Sequence, residues 1–134
     1  MNNNVVIAGV GMTQFGKFID KDIKELAGAA IREAMEDAGI ESTAIEAAYM
    51  ANVAAGTITG QVCIPGQTIL RELKIGHIPV INTENACASA ATAFNQAVKM
   101  VELGAYDIVL ACGYEKLYSP DKQKTFSVFS GAVD

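Results

Sequence analysis

The chain has 134 residues, of which 51% are hydrophobic, and its 15 acidic and 10 basic residues give a net charge of −5. This length and composition predict one globular α/β domain with a core of its own and exclude a disordered chain. The charges are interspersed and net acidic, so we do not expect nucleic acid as a partner.

The three cysteines are odd in number and show no CxxC spacing, and the single histidine, His77, has no cysteine close to it in sequence. We therefore expect neither a disulfide scaffold nor a metal site, and reduced thiols of a cytoplasmic protein fit better. Residues 1–4 lack the charged segment of a secretory signal, and no apolar run reaches membrane-spanning length. A cytoplasmic location with no membrane partner is the resulting prediction.

The first two elements of the chain are a strand and a helix. Val5–Val10 is a β-branched run ended by Gly9 and Gly11, which is typical of a buried central strand. Apolar residues then recur at steps of three and four from residue 23 to residue 38. Asp22 and Glu25 have capping-box spacing and Gly39 supplies a left-handed stop, so this segment is predicted to be an amphipathic helix.

The alternation continues through the middle of the chain. The patterns predict strands at 47–53, 79–83 and 107–112 and helices at 65–74 and 88–103. The order β-α-β-α-β-α-β predicts an α/β fold with a mainly parallel sheet. The Gly9-Val10-Gly11 turn lacks the third glycine of a dinucleotide-binding loop, because position 14 is Gln14, so we expect a tight turn there.

The pattern ends after Gly113. Residues 117–134 are mostly polar, yet they include Phe126, Val128 and Phe129 without periodic partners. A structureless end of this length is unusual in a self-contained domain. We expect residues 1–116 to form the domain and residues 117–134 to begin an incomplete loop region, as in the opening part of something larger.

Cys87 is the candidate nucleophile. It lies in the run ENACASA of residues 84–90, where the third predicted strand gives way to an alanine-rich helix. Unpaired N–H groups and the positive end of the helix dipole stabilise a thiolate, which is the nucleophilic form. Cys112 lies inside a predicted strand and is expected in the core, whereas Cys63 is expected to be an ordinary, partly buried thiol. Lys116 next to Glu115 is expected to form a solvated pair, with ordering of a neighbouring loop as the less favoured alternative.

Three segments at matching intervals carry a resemblance to a known family: residues 6–13 (VIAGVGMT), 84–90 (ENACASA) and 110–116 (LACGYEK). Together they resemble the N-terminal half of the thiolase superfamily, above all the sterol-carrier-protein type of thiolase and its acetyl-CoA acetyltransferase-like relatives. The resemblance implies a three-layer α/β half-molecule with a mainly parallel sheet.

The resemblance also implies acyl transfer between coenzyme A thioesters. Cys87 would attack the keto carbon of a 3-ketoacyl-CoA, release a shortened acyl-CoA and hold the acyl group until a second coenzyme A collects it, or catalyse the reverse Claisen condensation. The Cys87 N–H would be one of two donors to the oxyanion. The acyl-CoA is then a substrate, and neither a resident cofactor nor a metal is implied.

Thiolases take their catalytic histidine and a second acid–base cysteine from the C-terminal half, and the motifs of both are absent from this chain. His77 precedes the third strand, at the end opposite Cys87, so we expect a surface-loop histidine. The chain is therefore expected to carry half an active site and to be inactive alone. In thiolases the strand matching Val80–Asn85 lies at a two-fold axis, which implies a homodimer or a complex with a chain that supplies the C-terminal half.

Two other functions stay open at this point. A condensing synthase of the ketoacyl-ACP or hydroxymethylglutaryl-CoA type uses the same fold and cysteine. A noncatalytic acyl-CoA-binding or scaffold subunit, or a truncated fragment, would equally lack the histidine.

Overall fold

A computed structural model describes residues 4–133, so residues 1–3 and residue 134, the outer ends of the two predicted regions, lie outside the described residues. The helices are α1 (Ile23–Ala38), α2 (Ala55–Thr59), α3 (Pro65–Glu72), α4 (Ser89–Glu102) and α5 (Lys122–Ser130), and the strands are β1 (Ala47–Ala51), β2 (Val80–Thr83) and β3 (Val109–Gly113). Short 3₁₀ turns cover Ser42–Ala44 and Ala86–Ala88. In the part of the chain that the structure describes, none of the helices combines the length and apolarity that crossing a bilayer requires.

The three strands form one parallel sheet in the order β2-β1-β3. In the register of the sheet, Ala48 of β1 lies between Val80 of β2 and Leu110 of β3. All five residues of β1 are buried, because the strand is central and has helices on both faces.

Alternate side chains of β1 enter two separate cores. Ala48 and Met50 pack with buried residues of α1 and α3 on one face of the sheet. Tyr49 and Ala51 pack with Ala93 and other residues of α4 on the opposite face. The sheet therefore lies between two helical layers, and the predicted three-layer α/β class with a mainly parallel sheet is confirmed.

The predicted amphipathic helix is α1, and its ends are those that the sequence indicated. The side chain of Asp22 accepts a hydrogen bond from the N–H of Glu25, and the Glu25 side chain accepts one from the N–H of Asp22. Gly39 ends the helix with φ 65°, a left-handed conformation that glycine adopts without a steric penalty.

The prediction of a first strand at Val5–Val10 is wrong. These residues form no strand with any part of the described chain, and the side chains of Val6, Ile7 and Val10 are 77%, 67% and 65% exposed. The segment lies on α1 instead. A Cβ on Gly9 would collide with the backbone of Ala34.

Carboxylates of α1 also accept hydrogen bonds from backbone N–H groups of this segment, which in a strand would bind a neighbouring strand. The N–H of Val10 donates to the Asp37 carboxylate at 2.8 Å, and the N–H of Met12 donates to Glu33 at 2.9 Å. An apolar run indicates burial, but a strand also needs a hydrogen-bonded neighbour. The element order therefore begins with a helix and not with a strand.

The expectation of a structureless end after residue 117 is also wrong in part. Residues 117–121 are irregular, but Lys122–Ser130 form α5. Its N-cap is Asp121, whose side chain accepts a hydrogen bond from the N–H of Gln123 at 2.9 Å. None of the residues of α5 is buried, and Phe126 and Phe129 are exposed. A capped helix thus lies where the sequence indicated a loop region.

Candidate active site

The candidate functional residues lie at one edge of the sheet. Strands β1, β2 and β3 are parallel and end at Ala51, Thr83 and Gly113, so the segments that follow them meet at the carboxyl edge. Crevices at this edge are where open α/β sheets bind ligands. Cys87 follows β2 at this edge by four residues.

The structure places Cys87 between β2 and α4, in the 3₁₀ turn Ala86–Ala88, two residues before α4 begins at Ser89. The Cys87 side chain is exposed. The N–H groups of Ala88 and Ser89 donate to the carbonyls of Asn85 and Ala86, so the N–H of Cys87 itself is the candidate donor to a developing oxyanion. A reagent or thioester has access to the exposed thiol beside this N–H.

The residue before Cys87 has an unusual backbone conformation. Ala86 has φ 44°, in the left-handed region that residues with a Cβ seldom adopt. Its N–H donates to the Glu84 carboxylate at 2.7 Å, and its carbonyl accepts from the Ser89 hydroxyl at 2.7 Å. The Ser89 oxygen in turn accepts from the N–H of Asn85 at 2.7 Å. The sharp turn into α4 is thus held by side chains on both of its sides.

A second network joins the ends of β1 and β3. The Glu115 carboxylate accepts hydrogen bonds from the Asn52 side chain at 3.0 Å and from the N–H groups of Val53 and Ala54 at 3.0 and 3.2 Å. Asn52 also donates to the carbonyl of Tyr114 at 2.6 Å. These bonds fix the loop after β1 against the end of β3.

Glu115 and Lys116 do not form the solvated pair that we expected. Glu115 binds the loop after β1, and the Lys116 ammonium donates to the carbonyl of Lys21 in the N-terminal segment. The less favoured alternative is therefore correct, since both side chains order neighbouring backbone.

The other two cysteines differ from each other. Cys112 is buried, as predicted, and burial raises the pKa of its thiol from the ordinary 9.0 to about 12. Cys63 is exposed, contrary to the expectation of a partly buried thiol, because it lies in the loop before α3. Exposure alone therefore does not distinguish Cys87 from Cys63.

His77 lies where the sequence predicted, in an exposed loop before β2. It has φ 61° and belongs to the amino edge of the sheet, whereas Cys87 belongs to the carboxyl edge. The structure does not bring this histidine to the candidate nucleophile.

Two surface cavities of about 400 and 370 Å³ lie away from Cys87. The first is lined by residues around α1, α2 and Tyr118, and the second lies between α1 and the loop at Thr13–Phe18. Among residues 4–133, no three His, Cys, Asp or Glu side chains are grouped so that they could hold a metal ion.

Sequence reasoning missed Asn52, Ser89 and Glu115 as parts of this edge. Asn52 and Ser89 each offered a weak signal, because polar residues directly after a strand or at a helix start often bind backbone N–H groups. Glu115 lies in the segment 110–116 that carries the resemblance, but nothing local indicated its bonds to Val53 and Ala54, which are more than 60 residues away along the chain.

Several known proteins are similar to this chain in sequence. The family model described as thiolase, N-terminal domain, matches residues 5–133. The chain is 38% identical over 117 residues to the benzoylsuccinyl-CoA thiolase subunit BbsB of Thauera aromatica, covering 86% of this chain and 29% of that protein. It is 37% identical to an acetyl-CoA acetyltransferase of Methanocaldococcus jannaschii, covering 98% and 33%, and 35% identical to sterol carrier protein 2 of Gallus gallus, covering 100% and 24%.

Solved structures of similar fold include both thiolases and condensing enzymes. An acetyl-CoA acetyltransferase from Syntrophomonas wolfei has a TM-score of 0.68 at 23% identity, covering 78% of this chain and 27% of that one. The 3-oxoacyl-[acyl-carrier-protein] synthase III of Aquifex aeolicus has a TM-score of 0.65 at 23% identity, covering 73% and 31%. At this identity the likeness concerns the fold. The chain spans about a quarter to a third of the length of the curated relatives named above.

Proposed function

Because this chain belongs to the thiolase family, whose N-terminal domain it matches over residues 5–133, we propose that it takes part in acyl transfer between coenzyme A thioesters through Cys87. The observation that carries the proposal is the position of Cys87, an exposed thiol at the carboxyl edge of the sheet, in the turn that leads into α4. The family membership supports an acyl-transfer or condensing reaction. Within this class of reactions, we propose thiolysis of a 3-ketoacyl-CoA.

In thiolysis the Cys87 sulfur forms a bond to the keto carbon of a 3-ketoacyl-CoA. Collapse of the tetrahedral intermediate breaks the carbon–carbon bond beside that carbon, and the enolate of the departing acyl-CoA then takes a proton. The acyl group stays on Cys87 as a thioester until the thiol of a second coenzyme A accepts it. Coenzyme A thioesters are substrates in this scheme, and the backbone N–H of Cys87 is a candidate donor to the oxyanion.

The first test is acylation of Cys87 by acetyl-CoA, followed by peptide mass spectrometry. We expect a slow, stoichiometric acetyl adduct on Cys87 and none on Cys112, which is buried. Cys63→Ala is the matched control because Cys63 is also exposed, and this variant should acylate like the parent chain. An adduct on Cys63 in preference to Cys87 would contradict the assignment.

We further propose that this chain does not turn over by itself. Its one histidine, His77, lies at the opposite edge of the sheet from Cys87, so no imidazole is available there to move the proton of coenzyme A or of the product enolate. Acetoacetyl-CoA should therefore give at most one equivalent of product per chain. Sustained cleavage by the purified 134-residue protein would show that a base lies within it.

A noncatalytic acyl-CoA-binding subunit is the second candidate function, and the position of His77 is the observation that favours it. This function predicts retention of acetyl-CoA without any adduct on Cys87. Equilibrium dialysis measures the retention of acetyl-CoA and mass spectrometry the adduct on Cys87, so the two measurements together distinguish the binding subunit from the acyltransferase.

As partners we propose a second copy of this chain or a chain that supplies the residues of a C-terminal half. We also propose a cytoplasmic location, which the three free thiols favour.

A further inference from the structure

The turn before Cys87 combines strain with an unusually complete set of side-chain hydrogen bonds. Ala86 has φ 44°, and a residue with a Cβ pays a free-energy penalty in this left-handed conformation. Such a residue keeps this conformation only where its surroundings hold it. Relaxation of Ala86 to a negative φ would change the direction in which the chain enters α4.

Both polar groups of Ala86 are held by side chains. Its N–H donates to the Glu84 carboxylate at 2.7 Å and its carbonyl accepts from the Ser89 hydroxyl at 2.7 Å. The two partners differ in kind. Ser89 is buried and also binds the N–H of Asn85, so it belongs to the packing of α4 on the sheet. Glu84 is exposed, and within residues 4–133 its carboxylate accepts a hydrogen bond only from the N–H of Ala86.

The bond of Glu84 to Ala86 is local and strong. A carboxylate is a strong acceptor for a backbone N–H, and Glu84 makes this bond within three residues of its own chain.

We propose that Glu84 is a positioning residue for Cys87: its carboxylate holds the strained Ala86 turn, and the turn sets the thiol at the start of α4. The inference rests on the proposed function of Cys87 as the nucleophile and adds a residue that acts on it through the backbone. Glu84 itself does not touch the reacting atoms in this assignment.

Two substitutions separate the hydrogen bond of Glu84 from its charge. Removing the acceptor lets Ala86 relax and should slow the reaction of Cys87. Removing the charge alone keeps the turn held and should leave most of the reaction rate. Glu84→Gln keeps an acceptor oxygen without the charge, whereas Glu84→Ala removes both.

The experiment measures the rate of Cys87 alkylation by iodoacetamide, relative to Cys63 in the same protein, by peptide mass spectrometry. Glu84→Ala should lower the ratio by about fivefold or more, and Glu84→Gln should retain at least half of the parent rate or exceed it. Glu102→Ala, an exposed glutamate at the far end of α4, is the matched control and should leave the ratio unchanged.

A glycine at position 86 provides the sharpest comparison. Glycine adopts a left-handed conformation without the penalty that alanine pays, so the turn should no longer depend on Glu84. Glu84→Ala should therefore have an effect within about twofold in an Ala86→Gly background. A simple loss of the fold would not be rescued in this way.

An unchanged ratio in Glu84→Ala, or a faster reaction in both Glu84 variants, would overturn the proposal. An equal loss of rate in the parent background and in the Ala86→Gly background would also overturn it. Labelling of the buried Cys112 reports loss of the fold. If Cys112 is labelled in Glu84→Ala, the rates in Glu84→Gln and in the Glu84→Ala, Ala86→Gly double variant decide whether Glu84 positions Cys87. Alkylation needs no acyl-CoA, so a failure of this proposal is separate from a failure of Cys87 to accept an acetyl group.

Discussion

Cys112 and Tyr114 are neighbouring titratable groups that the fold encloses at the end of β3. Both side chains are more than nine-tenths buried and belong to the core on the α1 and α3 face. Burial raises the pKa of each, and in Tyr114 the neighbouring Cys112 and Glu115 add to the effect. Both groups are therefore protonated in the folded chain under conditions where the unfolded chain begins to ionise.

We expect the stability of the domain to fall as the pH rises above about 9, because the unfolded Cys112 thiol ionises there whereas the folded one keeps its proton up to about 12. Below the ordinary value of 9.0 the thiol is protonated in both states and contributes no pH dependence. For each pH unit above 9.0, this thiol alone should lower the free energy of unfolding by up to about 1.4 kcal/mol. Urea unfolding at a series of alkaline pH values measures the slope.

Cys112→Ala should flatten this dependence, and Cys63→Ala, at an exposed thiol, should leave it as it is. Equal slopes in the parent chain and in Cys112→Ala would show that the buried thiol does not set the alkaline limit.

At the scale of elements, the contact of α3 with the sheet depends on the absence of a side chain at Gly66. The N–H of Gly66 donates to the Asn82 side chain on β2 at 2.7 Å, and the Asn82 amide donates to Gln67 at 2.7 Å. A Cβ on Gly66 would lie 2.6 Å from the Oδ1 of Asn82 and 2.6 Å from the Cβ of Met50. The first turn of α3 therefore lies directly on β1 and β2.

Gly66→Ala should destabilise the domain by about 2 kcal/mol, because the helix must move away from a close-packed sheet to accommodate the added methyl group. The measurement is the midpoint of urea unfolding. Gly76→Ala is the matched control, since a Cβ there meets no atom within 4 Å and the backbone does not have a positive φ. Similar midpoints for the two variants would contradict the close contact.

The elements that the sequence predicted well are those with local signals. Helix α1 has its capping box and its terminal glycine within 20 residues of sequence, and those signals act whatever the rest of the fold does. Residues 5–10 show the opposite case. Their apolar run resembles a buried strand, yet a strand also needs a hydrogen-bonded neighbouring strand. Here the N–H groups of Val10 and Met12 bind carboxylates of α1 instead.

Helix α5 was missed for a related reason. Asp121 is a good N-cap, but the helix buries none of its side chains, so it lacks the periodic apolar face by which helices are recognised. At the candidate site, the strand-to-helix junction that holds Cys87 was predictable from local pattern. The bonds of Glu115 to Val53 and Ala54 were not, because only the parallel arrangement of β1 and β3 brings them together.

At the scale of the whole molecule, the described chain leaves two strand edges open and several apolar side chains outside the sheet exposed. The order β2-β1-β3 makes β2 and β3 edge strands of the sheet that the structure describes. Val6, Ile7 and Phe126 are among the exposed apolar side chains. Open strand edges and exposed apolar side chains are common at interfaces, so they support association of this chain with a partner.

The last prediction is that β2 forms a contact between two copies of this chain. In the thiolase family the matching strand lies at a two-fold axis, and pairing with a second copy would satisfy the free edge of Val80–Thr83. Sedimentation velocity over a concentration series should show a monomer–dimer equilibrium. Hydrogen exchange gives the location, since the amides of β2 should gain protection as the protein concentration rises, while those of β3, the other edge strand, serve as the internal control. A protein that stays monomeric at high concentration, with equally fast exchange at both edges, would count against this interface. Protection of β3 instead of β2 would place the contact at the opposite edge of the sheet.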